Sequence, residues 1–500
     1  MSTKRPNLVL FNPDQMRADV LGHLGNPAGA TPVIDHLVES DAVSFRNAYC
    51  QSPYCTPSRC SFMTGWYPHV RGHRSMLYML QPDEPMLLQI LKDAGYHVVW
   101  AGKNDLVPGQ EPSDRVCDLR IRNRAGQENS RGETVLDTHH PRNSSWRELG
   151  PDDVGYYSFH AGRLEPNSDG RYPDPDWSDL DDVLTFLRDY DGDEPFCVFF
   201  SLQYPHPPYC VEEPYYSAFE RTALPPRIPV PDSWEGLPPI LPRIADRQNL
   251  SSWGEGEWSR LRATYYGMCR RVDDQLGMLI GALQERGFYD DTALFVFADH
   301  GDFTGDYGLA EKCQNSFQEC LVRVPLIVKP PTGIACSPGI RDTLAELIDI
   351  PATVAEIAGV PLAHDHFSRS LVSVLSDDTA AHRDYVCSEG GRLEHESQMV
   401  PETFDTEAEF RRFLYWPRIS VQMEEPRTHA KGLMVRDARF KYVKRAYGAD
   451  ELYDLETDPT ELRNVIGTPS YREHERRLKD IAFDHLFLTA DFIPKEIDQR

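Results

Sequence analysis

Four short, near-continuously apolar runs set the strongest limit on how this chain can fold. They are residues 7–11 (NLVLF), 96–101 (YHVVWA), 196–202 (FCVFFSL) and 293–298 (ALFVFA). Runs of this length without polar alternation read as strands buried on both faces. Helical patterns lie between them. Residues 31–40 carry apolar Ile34, Leu37 and Val38, with Thr31 suited to the N-cap and Pro32 to the first helical position. Residues 85–94 form a second pattern, closed by Gly95, and residues 261–286 a third through Tyr265, Met268, Val272, Leu276, Leu279 and Leu283. Buried strands alternating with amphipathic helices predict an α/β fold whose parallel sheet is covered on both faces.

In such sheets the ligand site forms where the strands end at their carboxyl side. Asp14, Lys103, His206 and Asp299 each follow one of the four runs within a few residues, which predicts one shared site. Two stretches read as irregular: 106–182, polar and rich in Gly and Pro, and the proline-dense 205–242, expected to be an extended surface segment. Loops this long usually shape a pocket. The tract 389–428 brings Arg392, His395 and an aromatic group at 410–416, suited to pocket lining or to surface packing. Beyond about residue 375 the pattern changes, with strands expected at 441–443 and 451–455 and a charged helix at 471–488. The expected division is therefore a catalytic α/β domain over 1–375 and a smaller α+β unit over 376–500.

The formal charge of −26 over 500 residues argues against nucleic acid or an anionic membrane as partner, since both require a positive field. An anionic substrate must then be drawn by a local positive site. The start MSTKRPNLVLFNPDQ lacks the apolar core of an export signal, and no stretch approaches the ~20 apolar residues that span a bilayer. The eleven cysteines are accordingly expected as reduced thiols in a cytoplasm.

Several residues could carry chemistry. Asp14 with Gln15, and Asp299 with His300, could enclose a divalent cation with two carboxylates, an amide oxygen and an imidazole; helix capping or loop hydrogen bonding is the plainer role for the two aspartates. Cys55 precedes Pro57-Ser58-Arg59, and the Arg59 fork suits a tetrahedral oxyanion; a small buried cysteine is the alternative. Lys103 and Lys312 are either anion holders or solvated surface groups, and His206, set between two prolines, suits proton transfer or a structural role.

The segment CTPSRCSFMTG resembles the signature of the type I, formylglycine-dependent sulfatases, C-x-P-S-R followed by T-G. NLVLFNPDQ is similar to the family's amino-terminal metal-binding strand, AGYHVVWAGK to its second signature, FADHGDFTGDYGLAEK to its metal-and-lysine block and ELYDLETDPTELRN to its carboxyl-terminal motif. The resemblance implies an alkaline-phosphatase-like fold: a mixed, mostly parallel sheet between helices, with a small carboxyl-terminal subdomain. It implies that a maturation enzyme oxidises Cys55 to formylglycine, whose hydrate attacks the sulfur of a small organic or sugar sulfate ester. Asp14, Gln15, Asp299, His300 and the modified Cys55 would bind one divalent ion, calcium first and manganese as the alternative. Arg59 would stabilise the hydrated aldehyde, Lys103 and Lys312 would hold sulfate oxygens, and His206 would contact sulfate or protonate the leaving oxygen.

The sequence departs from the pattern at three places. Gln15 stands where many relatives have a second aspartate, and His300 where many have asparagine. Lys103-Asn104-Asp105 replaces the usual lysine-x-histidine, leaving Asp105 as the candidate substitute. The first two pairs also occur in the related phosphonate monoester hydrolases, which generally lack the lysine matching Lys103. A phosphonate monoester or phosphodiester hydrolase is therefore the alternative activity, and an unmodified binder of sulfated ligands a third reading.

Overall fold

The strand order explains why residues so distant in sequence can share a site. The structure, a computed structural model, describes residues 5–109, 112–138, 148–166, 172–396 and 404–490. The last ten residues of the expected carboxyl-terminal unit, and parts of the tracts 106–182 and 389–428, lie outside those described. The strands are β1 (Asn7–Asn12), β2 (Val43–Tyr49), β3 (His97–Gly102), β4 (Leu119–Ile121), β5 (His160–Arg163), β6 (Phe196–Ser201) and β7 (Tyr209–Val211). They continue with β8 (Thr292–Phe297), β9 (Leu326–Lys329), β10 (Gly339–Glu346), β11 (Val386–Gly390), β12 (Gly432–Arg436), β13 (Phe440–Arg445) and β14 (Glu451–Asp454).

Eight of them form the main sheet in the order β10-β2-β9-β8-β1-β6-β3-β4. Every neighbouring pair is parallel except those of β9, which runs antiparallel to both β2 and β8. The four apolar runs are the four adjacent strands β8, β1, β6 and β3. All residues of β1, β6 and β8 are buried, and each such aliphatic or phenyl side chain contributes about 1.5–3 kcal/mol. Helices cover the sheet in two groups that pack among themselves. Pro32–Ser40 and Pro175–Asp189 pack on the long helix Glu255–Glu285, while Leu87–Asp93 and Asp349–Ala358 pack on Cys55–Thr64. Phe62 of the last helix meets Phe199 of β6 and Phe297 of β8 edge-on.

The helix at Pro32 starts as expected, but Thr31 does not cap it. Its hydroxyl accepts from the Gly22 N–H and donates to Asp35. The carboxylate of Asp273, on the long helix, accepts from the N–H groups of Val33 and Ile34 instead, at 2.8 and 2.9 Å. Asp273→Ala is thus expected to destabilise the protein by about 1–2 kcal/mol, as for loss of a good N-cap, measurable as a lower urea midpoint at unchanged slope.

The smaller sheet is an antiparallel meander, β11-β12-β13-β14, with the helix Arg472–Thr489 packed on β12 and β13. Two of its four strands were anticipated; β11 and β12 were not. The segment 205–242 also differs from expectation. It is largely irregular, yet Tyr209–Val211 is a fully buried strand paired in parallel with β5. That strand packs against the long helix Glu255–Glu285, which proline content alone conceals. No helix among the described residues is long and apolar enough to cross a membrane.

Candidate active site

The chemistry-bearing residues gather at the carboxyl ends of β8, β1, β6 and β3, and against the first turn of the helix Cys55–Thr64. The C-x-P-S-R spacing has a direct structural meaning there. Cys55 is the first helical residue, Pro57 lies in the first turn where its missing N–H costs nothing, and positions three and four further on share a helix face. Ser58 donates its hydroxyl to the Asp299 carbonyl at 2.6 Å. Arg59 donates from Nε to Asp299 Oδ2 at 2.9 Å, from one terminal nitrogen to Asp14 Oδ2 at 3.0 Å and from the other to the Ser201 hydroxyl at 2.5 Å. One guanidinium therefore fixes the two aspartates relative to the cysteine.

The Cys55 thiol donates to Asp14 Oδ1 at 3.7 Å and lies 3.1 Å from His300 Nε2. His300 Nδ1 donates to the Gly301 carbonyl at 2.9 Å, so the proton sits there and the Nε2 lone pair faces the cysteine. One ligand atom from each of Asp14, Cys55, Asp299 and His300 can be chosen so that all lie within 4.8 Å of one another, and all four residues are buried. Two carboxylates, an imidazole lone pair and a fourth donor suit a divalent cation. Gln15 is placed beside this cage in a left-handed backbone conformation, φ 67°. Its N–H donates to Asp299 Oδ1 at 3.0 Å, its side-chain N–H to Asp302 at 2.8 Å, and its side-chain oxygen accepts from Lys312.

Lys103 emerges from β3 through Gly102, where a Cβ would stand 2.0 Å from the Ser201 carbonyl and where φ is +86°. Only glycine fits that close approach, and it lets the Lys103 N–H donate to Ser201 at 2.7 Å. The Lys103 ammonium reaches Asp14 at 2.6 Å and Asp105 at 2.8 Å. Asp105 thus holds the lysine. His206 lies at the rim, its Nδ1 donating to the Pro207 carbonyl at 2.6 Å and its Nε2 3.5 Å from the Tyr415 hydroxyl. Lys103 and His206 open onto a cavity of about 360 Å³.

Burial alone would raise the Asp14 carboxyl, but Lys103, His206, Arg59 and His300 outweigh it and hold it well below the usual carboxylate range. Burial pushes the Cys55 thiol well above its ordinary value, with Asp14 adding to the shift. Burial would lower the Lys103 ammonium, yet Asp105 and Asp14 keep it charged. The result is an ionised Asp14, a charged Lys103 and a protonated Cys55 thiol.

Several contributors carried no readable signal. Ser201 ends an apolar strand, and Asp302 gathers Gln15, Tyr209 and Thr304. Arg418 pairs with Glu311 at 2.8 Å and donates to the Tyr54 hydroxyl at 3.1 Å, while Glu311 also pairs with Lys312 at 3.0 Å. Among the described residues of the tract 389–428, Tyr415 and Arg418 reach the site.

The family model for sulfatases matches residues 6–360. The chain belongs to the sulfatase family. It is accordingly a hydrolase of the sulfuric-ester class. It is 27% identical to the multifunctional alkaline phosphatase superfamily protein PehA of Trinickia caryophylli, over 93% of this chain and 92% of that one. It is 25% identical to an arylsulfatase of Clostridium perfringens, over 96% and 94%. In fold it is similar to the phosphonate monoester hydrolase of Agrobacterium radiobacter, with a TM-score of 0.74 and 23% identity over 96% of both chains. For this sulfatase-family chain, Lys103→Ala is expected to lower kcat/KM roughly 10²–10³-fold, as for loss of one preorganised charge donor, in a steady-state assay on an aryl sulfate.

Proposed function

We propose that this chain cleaves a sulfate monoester of a small organic or sugar alcohol, releasing inorganic sulfate, with Cys55 acting after oxidation to formylglycine. The observation that carries the reading is the convergence of Arg59, Lys103, the Asp14–Asp299–His300 cage and Cys55 at one point. As a thiol, Cys55 is poorly suited to attack, since burial keeps it protonated and the thiolate is the nucleophile. Oxidised to the aldehyde, the residue would present oxygen in place of sulfur to the cage and to the substrate.

Asp14, Asp299 and His300, with Gln15 beside them, would hold one divalent ion, which would supply Lewis-acid polarisation and charge neutralisation. Calcium is the expected ion, and the imidazole of His300 makes manganese the alternative. Arg59 orients both carboxylates. Lys103, at the cavity, is placed to hold a sulfate oxygen, and Lys312, bonded to Gln15, to hold another. His206 has its Nδ1 proton committed to a carbonyl, so its Nε2 is the atom that would meet the leaving oxygen. Lys103, which lines the cavity, would meet an anion locally despite the net charge of −26. All eleven cysteines are free thiols, which supports a reducing compartment, the cytoplasm.

The Asp14–Gln15 and Asp299–His300 pairs favour a second reading, hydrolysis of phosphonate monoesters or phosphodiesters, which also carry one negative charge at the reacting centre. One experiment separates them. Protein co-produced with a formylglycine-generating enzyme is treated with an aldehyde-trapping reagent, and kcat/KM is compared for nitrophenyl sulfate and a matched phenylphosphonate ester. Trapping at the Cys55 peptide with the sulfate preferred is the expected result. Preference for the phosphonate reverses the two readings, and an untrapped Cys55 with no turnover removes both in favour of a binding protein.

A further inference from the structure

A second group of ligand-type side chains lies where three distant segments of the chain meet. His69 stands on the short helix Pro68–Arg71, which follows the helix of Cys55; Glu389 stands on β11, and His485 on the terminal helix Arg472–Thr489. One ligand atom from each can be chosen so that all three lie within 4.8 Å of one another. The set shares no residue with the Asp14–Cys55–Asp299–His300 cage. Neighbouring contacts hold it in place. The Glu389 N–H donates to the Gln51 carbonyl at 2.7 Å, and the His485 ring meets that of Tyr67 edge-on at 4.4 Å and that of His69 at 5.9 Å.

The hydrogen bonding within this group is incomplete. The Thr489 hydroxyl donates to the His485 carbonyl at 2.6 Å, so towards His69 Nε2, 2.9 Å away, it can only accept. Nε2 therefore carries a ring proton, while Nδ1 stands 2.6 Å from Glu389 Oε1. A neutral imidazole would set one lone pair against another there. A second ring proton could bridge that pair of atoms, but it would do nothing for Glu389 Oε2 or His485 Nε2. Both are buried and make no hydrogen bond, in residues only 1% and 2% exposed. Buried polar atoms without partners are rare because each forfeits its hydration. A metal ion held by all three side chains replaces the bridging proton and gives the idle oxygen and nitrogen a partner. The geometry points to a second metal site, in which His69, Glu389 and His485 hold one divalent ion of the zinc class and tie the terminal helix to β11 and to the segment behind the Cys55 helix. Two imidazoles and a carboxylate are a set that zinc accepts, with water as a fourth ligand. The site goes beyond the sulfatase reading and does not depend on it.

The test uses the full chain carrying Cys55→Ala and Asp14→Asn, which disable the first cage, and adds His485→Gln or Glu389→Gln to that chain. Zn2+ is titrated into the metal-stripped proteins against a chromophoric chelator. The expected result is one equivalent bound in the cage-disabled chain, and binding at least roughly a hundredfold weaker in either further variant. Loss of a residue that merely orients a ligand already weakens metal binding roughly tenfold to a hundredfold. Hydrogen exchange across Arg472–Thr489 reads the same tie without altering the site. Zn2+ should slow it in the cage-disabled chain and leave it unchanged in the variants. Equal zinc binding with and without the His485 and Glu389 substitutions in folded protein, or terminal-helix exchange that zinc does not alter in the cage-disabled chain, overturns the site.

Discussion

Cys55→Ala is expected to abolish sulfate release while leaving the protein folded. The residue is 3% exposed at the start of a helix whose ten residues are all buried, and alanine is the best helix former of similar size. Removal of one small side chain there costs about 1–2 kcal/mol at most, far less than the stability of a domain this large. The chemical loss is of another order. Nucleophile deletion in enzymes that act through a covalent intermediate costs roughly 10⁴–10⁶ in kcat, and nothing else at the convergence point of Arg59 and Lys103 can replace it. Sulfate measured by ion chromatography, beside a circular-dichroism melt, checks both halves. Residual turnover near wild type in a folded variant would eliminate Cys55 as the nucleophile.

Asp14→Asn should strike metal binding and activity together. Asp14 accepts from Arg59 at 3.0 Å and from Lys103 at 2.6 Å while facing the Cys55 sulfur, so the substitution removes a ligand charge and a shared counter-ion at once. A fall of roughly 10³-fold or more in kcat/KM is expected, with stoichiometric metal lost from elemental analysis, and chelation of the wild type should reproduce the activity loss. Stability should fall less than for a typical broken buried pair, which costs 3–5 kcal/mol at about the high end. Arg59 keeps Asp299, and Lys103 keeps Asp105, so neither cation is orphaned and about 1–2 kcal/mol is the expected loss. The sign of the pH dependence follows from the depressed Asp14 carboxyl. Its contribution is complete above the unfolded value and is lost as pH falls through the folded one. The stability gap between wild type and variant should therefore persist at neutral pH and narrow only below about pH 4. Unchanged metal content and activity would show that Asp14 is not part of the cage.

What could be read from the sequence follows from how plainly burial is written into it. β1, β6 and β8 are buried on both faces, so they appear as unbroken apolar runs, and the site residues are found by looking just past them. β2 is harder to see. Arg46 and Asn47 interrupt it because they reach Asp342 of β10. In the smaller sheet β11 and β12 hide differently, by burying charge. Glu389 of β11 is 1% exposed yet bonded to His69, and Arg436 of β12, 7% exposed, lies 4.0 Å from Glu319. Such pairs defeat any pattern that equates charge with the surface. Arg418 was illegible for the same reason, since its partner Glu311 lies over a hundred residues away in the chain.

The strand order also has a consequence for timing. β1, the centre of the sheet and the source of Asp14, is completed only by β6 and β8, and β8 leaves the ribosome roughly 240 residues after Cys55, on the order of tens of seconds at cellular rates. Until then the pocket that encloses Cys55 has no walls. Once they close, the residue is inaccessible to another protein. Any enzyme that converts this side chain must therefore win a race against folding, and slowing synthesis between residues 55 and 297 should raise the converted fraction without changing a single contact in the finished molecule.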